Sequence, residues 1–240
     1  MRWQRFFAWN GVLFAVSCLL GLEVFMPQPP SFDISPAATA DYYVAHQTGF
    51  LIGVTLCGVA MAFLLAWSLQ LGYMLWGAGS SRIGTIVAIV SLGASPILLS
   101  FDLTFFAIAV YRAGQVSPEV TQALSDVAWI GSMLIWPQLA FAMLLVGILI
   151  LRSRGRDAMF PAWLGWLSIV VAAVEPFQAG IIFEKSGPFA PDAVLTWYAA
   201  VFTWGLWIVA LTVVMIRRLS QRSGTARIAR DDTVGTGAAA

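Results

Sequence analysis

The chain has 240 residues, of which 60% are hydrophobic and 10% are charged, and its formal net charge at pH 7 is +1. Its mean hydropathy is +0.83. This composition excludes an ordinary soluble domain and is typical of an integral membrane protein.

Six apolar runs follow one another along the chain, and each reaches the roughly 20 residues that a membrane-crossing helix needs. They cover Phe6–Met26, Thr48–Leu75, Ile83–Tyr111, Asp126–Leu151, Pro161–Phe183 and Ala193–Ile216. We therefore predict an all-α fold, a polytopic bundle of six transmembrane helices, over residues 1–218. Residues 219–240 are basic and then small and polar, which predicts a disordered cytoplasmic tail.

The positions of lysine and arginine predict the orientation of these helices. If the N-terminus is cytoplasmic, only Arg112 and Lys185 among the 13 cationic residues fall in outer loops. Cytoplasmic loops carry an excess of such residues, so we expect both termini to face the cytoplasm. The predicted location is the bacterial cytoplasmic (inner) membrane, in multi-pass form.

Two acids interrupt the apolar runs. Asp102 lies ten residues from Arg112, and Glu175 lies ten residues from Lys185. Ten helical residues rise about 15 Å, which is half of a hydrocarbon core of about 30 Å. Both acids are therefore predicted near the membrane midplane, where an unpaired carboxylate is costly. They are the candidate ligand-binding or catalytic groups.

Three runs carry a proline beside a polar residue, at Ser95-Pro96, Pro137-Gln138 and Glu175-Pro176. A helical proline leaves the carbonyl four residues earlier without its donor, and in lipid that carbonyl needs another partner. Together with Asp102 and Gln178, these interruptions predict a hydrated polar cavity near the midplane, as transporters build. Simple kinks also explain each proline separately.

Small and polar residues recur at helical spacing in three runs, which predicts faces that pack against other helices. These stripes comprise Gly84, Ala88, Ser91, Ser95 and Asp102; Ser168, Ala172, Glu175 and Ala179; and Gly49, Gly53, Cys57 and Ala60. The third stripe is interpreted as close helix packing.

Aromatic and outer polar residues extend the candidate site. Trp136 and Trp204 lie deep in their runs, and an indole face beside a carboxylate binds an organic cation or stabilises a carbocation. Deep tryptophans more often pack between helices. Glu23 and His46 are expected at one outer level, either as a solvated pair or as the cavity mouth.

Several cofactors are excluded by residue counts. Cys18 and Cys57 both lie inside apolar runs, so neither is expected in a structural disulfide or a thiol relay. His46 is the single histidine, which excludes bis-histidine haem and two-histidine zinc sites within one chain. The single lysine, Lys185, lies in a loop, where it does not suit a retinal Schiff base. We predict no cofactor and no metal site.

A family resemblance rests on three segments: Gly11–Phe14 after a basic aromatic opening, Ala40–Tyr43, and the P-x-W-L-G-W-L-S block at Pro161–Ser168. In these the chain resembles small bacterial six-helix membrane proteins grouped as families of unknown function. The resemblance implies the six-helix fold and no particular activity or catalytic residue.

Three function classes remain open. The first is binding or transport of a small lipophilic molecule or a cation through the midplane cavity. The second is a membrane-embedded enzyme that uses carboxylic acid/base chemistry on an isoprenoid or sterol-like substrate. The third is an accessory subunit of a membrane complex. We expect the lipid bilayer as a partner, a homodimer or a partner membrane protein beside it, and no nucleic acid.

Overall fold

The computed structural model describes residues 2–26, 32–153, 159–190 and 193–236. These residues form helices and turns and contain no strand. The α-helices are α1 (Arg2–Leu19), α2 (Pro36–Ala45), α3 (Gln47–Gly77), α4 (Arg82–Arg112), α5 (Pro118–Met133), α6 (Trp136–Arg152), α7 (Ala162–Val174) and α8 (Ala200–Thr236). Three shorter helical segments extend them: a π-helical segment at Leu20–Phe25 after α1, a 3-10 segment at Glu175–Ile182 after α7, and a π-helical segment at Val194–Ala199 before α8.

Six helical segments of the described chain are long and apolar enough to cross a membrane, as the sequence predicts. They are Trp3–Phe25, Gln47–Gly77, Arg82–Arg112, Pro118–Arg152, Ala162–Ile182 and Val194–Arg222. The fourth segment begins eight residues before the predicted Asp126, because Pro118 occupies the first turn and starts α5 there.

The loop after the first span contains a helix, α2, at one end of the bundle. Ser35 caps it by accepting a hydrogen bond from the Ala38 amide at 3.3 Å, and Pro36 fits its first turn. The buried Tyr43 hydroxyl lies 2.7 Å from Ser125 Oγ on α5, which fastens α2 to the bundle. Burial raises the pKa of Tyr43, so the phenol stays neutral.

Two of the three predicted proline interruptions break their helices. α5 and α6 are separated at Leu134 and Ile135, just before Pro137, and α7 changes to the 3-10 segment at Glu175, next to Pro176. In contrast, α4 continues through Pro96. Irregular backbone in a membrane is tolerated where it is buried in protein or lines a cavity. The interruptions therefore indicate where an internal site lies.

Close contact between α3 and the π-helical segment Leu20–Phe25 confirms the predicted packing stripe of the second span. A Cβ added at Gly53 would lie 2.7 Å from the Gly21 carbonyl oxygen, and one added at Gly49 would lie 2.8 Å from the Phe25 carbonyl oxygen. No side chain larger than hydrogen fits at these positions. The two backbones therefore meet along this seam, as small residues allow in membrane proteins.

A buried hydrogen-bond chain joins α7 to α8. The Trp207 indole N–H donates to Ser168 Oγ at 2.7 Å, and Ser168 Oγ donates to the Leu164 carbonyl oxygen at 2.7 Å. Both side chains are fully buried. Ser168 thus faces another helix, as its stripe predicts.

The last helix continues beyond the predicted domain boundary at residue 218. Leu219 is 4% exposed, and its carbonyl oxygen accepts a hydrogen bond from Arg5 at 3.5 Å. α8 is helical to Thr236. The bundle therefore includes at least Leu219, and disorder of the chain beyond it stays a prediction.

The seam predicts different outcomes for two matched substitutions in α3. We expect Gly53→Ala to lower the free energy of unfolding by about 1–3 kcal/mol, because the new methyl overpacks the seam. Gly58 has open space around its Cβ direction, so Gly58→Ala is expected to be neutral or to stabilise the helix by up to about 1 kcal/mol. Thermal unfolding in detergent, followed by tryptophan fluorescence, measures both. Equal melting temperatures for the two variants would contradict the seam.

Candidate functional site

A cavity of about 100 Å³ lies inside the bundle, next to its irregular segments. Its wall takes side chains from α1, α3, α4, α5, α6, the 3-10 segment and α8. Most are apolar, among them Leu99, Phe106 and Leu139, and the polar exceptions include Glu175 and Gln178. A space of this size holds a few water molecules or part of a small organic molecule.

Glu175 is the acidic residue in this wall, and it is fully buried. Its Oε2 accepts a hydrogen bond from Gln178 Nε2 at 2.5 Å. Residues three apart are eclipsed in a 3-10 helix, which explains why Gln178 reaches Glu175. The other oxygen, Oε1, is buried without a hydrogen-bond partner, and within the described chain the carboxyl has no ion pair. The site thus contains an unsatisfied acceptor.

Trp204 contributes a second unsatisfied group to the cavity. Its indole packs edge-to-face against Phe14 with ring centroids 5.3 Å apart. The Nε1 N–H is buried and has no acceptor within the described chain. The wall therefore offers one free acceptor, on Glu175, and one free donor, on Trp204. Each of these atoms needs a bound polar group or a water molecule as its partner.

A groove of about 300 Å³ between α1 and α8 adjoins the cavity. The two spaces share Cys18, Leu22, Val201 and Trp204 as wall residues. Exposed Glu23 lies in the wall of the groove. The groove therefore lies at the surface of the bundle, directly beside the cavity.

The two cysteines lie together in the cavity wall, a proximity that the sequence analysis did not predict. Cys18 on α1 and Cys57 on α3 are neighbours in the cavity wall. Their contact depends on the glycine seam, because a Cβ added at Gly21 would lie 2.7 Å from Cys57 Sγ. The glycines around Cys57 were the available sequence signal.

Asp102 lies outside this cavity, although the sequence predicts it at the depth of Glu175. It is 8% exposed, and a Cβ added at Gly131 of α5 would stand 2.5 Å from its Oδ1. The cavity receives Leu99 and Phe106 from α4 instead. The structure does not bring the two acids into one site.

Three further predicted wall residues also lie elsewhere. Ser95 is buried in α4 and donates to the Ser91 carbonyl oxygen at 3.4 Å. Gln138 is exposed on α6, and Trp136 is half-buried at its start. The break before α6 sets the phase of that helix so that Leu139 enters the cavity wall.

Glu23 and His46 do not form the predicted pair within the described residues. His46 is exposed, and its Nδ1 lies 2.8 Å from the Tyr42 carbonyl oxygen of α2. Glu23 is exposed at the groove between α1 and α8. Of the two residues, only Glu23 lines the groove beside the cavity.

Comparisons with known protein families, with curated proteins and with solved structures return no match for this chain. The fold defines its class: a polytopic helical membrane protein with a buried acid in an internal cavity. Since a fold does not determine a function, the function has to be argued from the cavity.

Glu175 predicts a conflict between stability and function. We expect the isosteric Glu175→Gln variant to raise the free energy of unfolding by about 1–3 kcal/mol, because a buried carboxyl without a cationic partner is costly. The exposed Glu119→Gln variant is expected to change it by less than about 0.5 kcal/mol. Thermal unfolding in detergent compares them. A clear loss of stability in Glu175→Gln would assign the carboxyl a structural role.

Proposed function

We propose that the protein binds a small lipophilic molecule with one hydrogen-bonding end group in the cavity around Glu175. The observation that carries this proposal is the fully buried carboxyl, whose Oε1 has no partner in an otherwise apolar wall. Such groups are costly in membrane proteins and typically mark functional sites. We also propose that the protein transports the molecule that it binds.

The apolar wall supports a lipophilic ligand. Ligand pockets are mostly apolar, with a few placed polar groups, and enclose about 300–1,000 Å³. The cavity of about 100 Å³ and the adjoining groove of about 300 Å³ together reach the lower part of that range. A molecule that occupies both spaces has its polar end in the cavity and its apolar part in the groove.

The two unsatisfied groups specify the polar end. A hydroxyl group has both a donor for Glu175 Oε1 and an acceptor for Trp204 Nε1, so its hydrogen-bonding capacity matches the two atoms. An unsatisfied buried polar atom costs about 1–3 kcal/mol, which binding of such a ligand would recover. An amine offers donors for Glu175 but leaves the Trp204 N–H unpaired when it is protonated.

The groove supports entry from the bilayer rather than from water. It lies between α1 and α8, and its wall includes exposed apolar residues such as Leu19, Phe202 and Leu206. A lipophilic ligand dissolved in the membrane reaches this surface directly. Leu22 and Val201 line both the groove and the cavity, so they lie where the ligand would pass from one space to the other.

A second candidate is a membrane-embedded enzyme acting on an isoprenoid or sterol-like substrate. It is favoured by the aromatic rings of Phe106, Trp129 and Trp204 in the same wall as Glu175. A carboxylic acid there would donate a proton, and the rings would stabilise a carbocation. The third candidate, an accessory subunit, is favoured by Asp102, which has no hydrogen bond to any described residue and would pair with a partner helix.

The proposal is tested by native mass spectrometry with lipid extraction on protein purified in mild detergent. We expect wild type to carry a specific molecule and Glu175→Gln to lose at least about tenfold in occupancy, since the charged or acidic acceptor is gone. Asp102→Asn is the matched control, because Asp102 lies outside the cavity, and it is expected to retain the molecule. Equal retention by all three proteins would contradict the proposal.

A second arm of this experiment tests the groove. Gly205 lines the groove and has open space around its Cβ direction, so Gly205→Phe fills the entry without a backbone clash. We expect Gly205→Phe to lower the occupancy of the bound molecule. Gly58→Phe, at an equally open position away from both spaces, is the control. Equal occupancy in the two variants would exclude this entry route.

We further propose that both termini face the cytoplasm and that the membrane is the bacterial inner membrane. Support comes from the 13 cations of the chain, of which only Arg112 and Lys185 fall on the opposite side. Terminal fusions to a fluorescent protein and to alkaline phosphatase test this orientation. Fluorescence without phosphatase activity is expected at both ends, and phosphatase activity at either end would contradict it.

A further inference from the structure

The cavity wall is rich in sulfur. Both cysteines of the chain and three of its eight methionines line it. These residues are Cys18, Met26, Cys57, Met61 and Met133. The function proposed above uses Glu175 and Trp204 and gives these side chains no role beyond packing.

The two thiols are placed by different helices, not by a local motif. Cys18 lies on α1 and Cys57 on α3, and the two side chains are neighbours in the cavity wall. The contact requires the close approach of the backbones at Gly21 and Gly53. A thiol pair held in this way is preorganised, because neither helix has to move to bring the sulfurs together.

Met61 adds a thioether to this pair. It stands four residues after Cys57 on α3, so both side chains lie on one face of the helix, one turn apart. Met61 is 6% exposed and Cys57 is 3% exposed, and both line the cavity. Methionine often fills gaps in a core, but here it extends an existing pair of soft donors within an internal space.

The donor set discriminates among metal ions. Zinc prefers four ligands drawn from cysteine, histidine and carboxylate, and the described residues contain no cluster of three or more such groups. Thiolate and thioether sulfurs select soft ions, of which Cu(I) is the biological example. We propose that Cys18, Cys57 and Met61 bind one Cu(I) ion in the cavity.

The charges of the proposed ligands balance the single positive charge of Cu(I), which suits an apolar cavity. When Cu(I) binds, one thiol becomes a thiolate and releases one proton to solvent, while the second thiol and the thioether coordinate as neutral donors. The site then has no net charge, which limits the cost of burial. Because one proton is released, the affinity for Cu(I) is expected to rise about tenfold per pH unit while the thiol is protonated.

The test uses the full chain purified in detergent without oxygen, with Cu(I) supplied from a chromogenic Cu(I) chelator that competes for the metal. We expect one equivalent of Cu(I) per wild-type chain and a sulfur-only first coordination shell in X-ray absorption. Cys18→Ala with Cys57→Ala is expected to weaken binding at least about 100-fold, and Met61→Leu about tenfold. Met143→Leu is the control, because Met143 is buried away from the cavity and should bind as wild type does.

Wild-type binding no tighter than that of the double cysteine variant would overturn the site. Unchanged binding in Met61→Leu would remove that residue from it. If the double variant does not fold, two measurements still test the site. They are the number of Cu(I) ions bound per wild-type chain and the affinity of the near-isosteric Met61→Leu variant. Retention of the lipophilic molecule is measured on the same samples, so the two proposals fail separately: Glu175→Gln should lose that molecule and keep copper.

Discussion

The close approach of the π-helical segment Leu20–Phe25 to α3 is the contact on which the rest of the site depends. It rests on Gly21 and Gly53, where a Cβ would collide with the facing backbone. A membrane gives helices little hydrophobic reason to associate, so such close packing is a main source of cohesion. The seam brings Cys18 and Cys57 into contact and forms one wall of the cavity. A wider seam would separate these thiols and change the shape of the cavity.

The second constraint is that every polar group in a membrane interior needs a partner. Pro176 lacks a backbone N–H donor, and the chain forms a 3-10 segment there. In this segment Gln178 lies against Glu175, because residues three apart are eclipsed. This local pairing satisfies one carboxyl oxygen and leaves the other unpartnered. The unpartnered oxygen, Oε1, is therefore available for a hydrogen bond to a bound molecule. The irregular backbone and the buried acid therefore belong to one feature of the fold.

Two kinds of chemistry meet in one internal space. Glu175 and Trp204 provide a hydrogen-bonding end, whereas the sulfurs of Cys18, Cys57 and Met61 provide soft donors. The first set depends on the helix break at residue 175 and the second on the glycine seam. Because they depend on different elements, variants in one set leave the other in place. The cavity thus forms where the helix break at residue 175 and the glycine seam come together, and it is not a single polar channel.

The sequence by itself determined the all-helical fold, the six spans and the packing face of α3, because hydropathy and small-residue spacing act locally along one helix. It also identified Glu175, Gln178 and Trp204, since polar groups inside apolar runs are visible without a structure. It did not exclude Asp102 and Gln138 from the cavity or join Cys18 to Cys57. Those outcomes depend on how each helix is rotated against its neighbours. Only the tertiary structure decided this rotation, because contacts between helices set it.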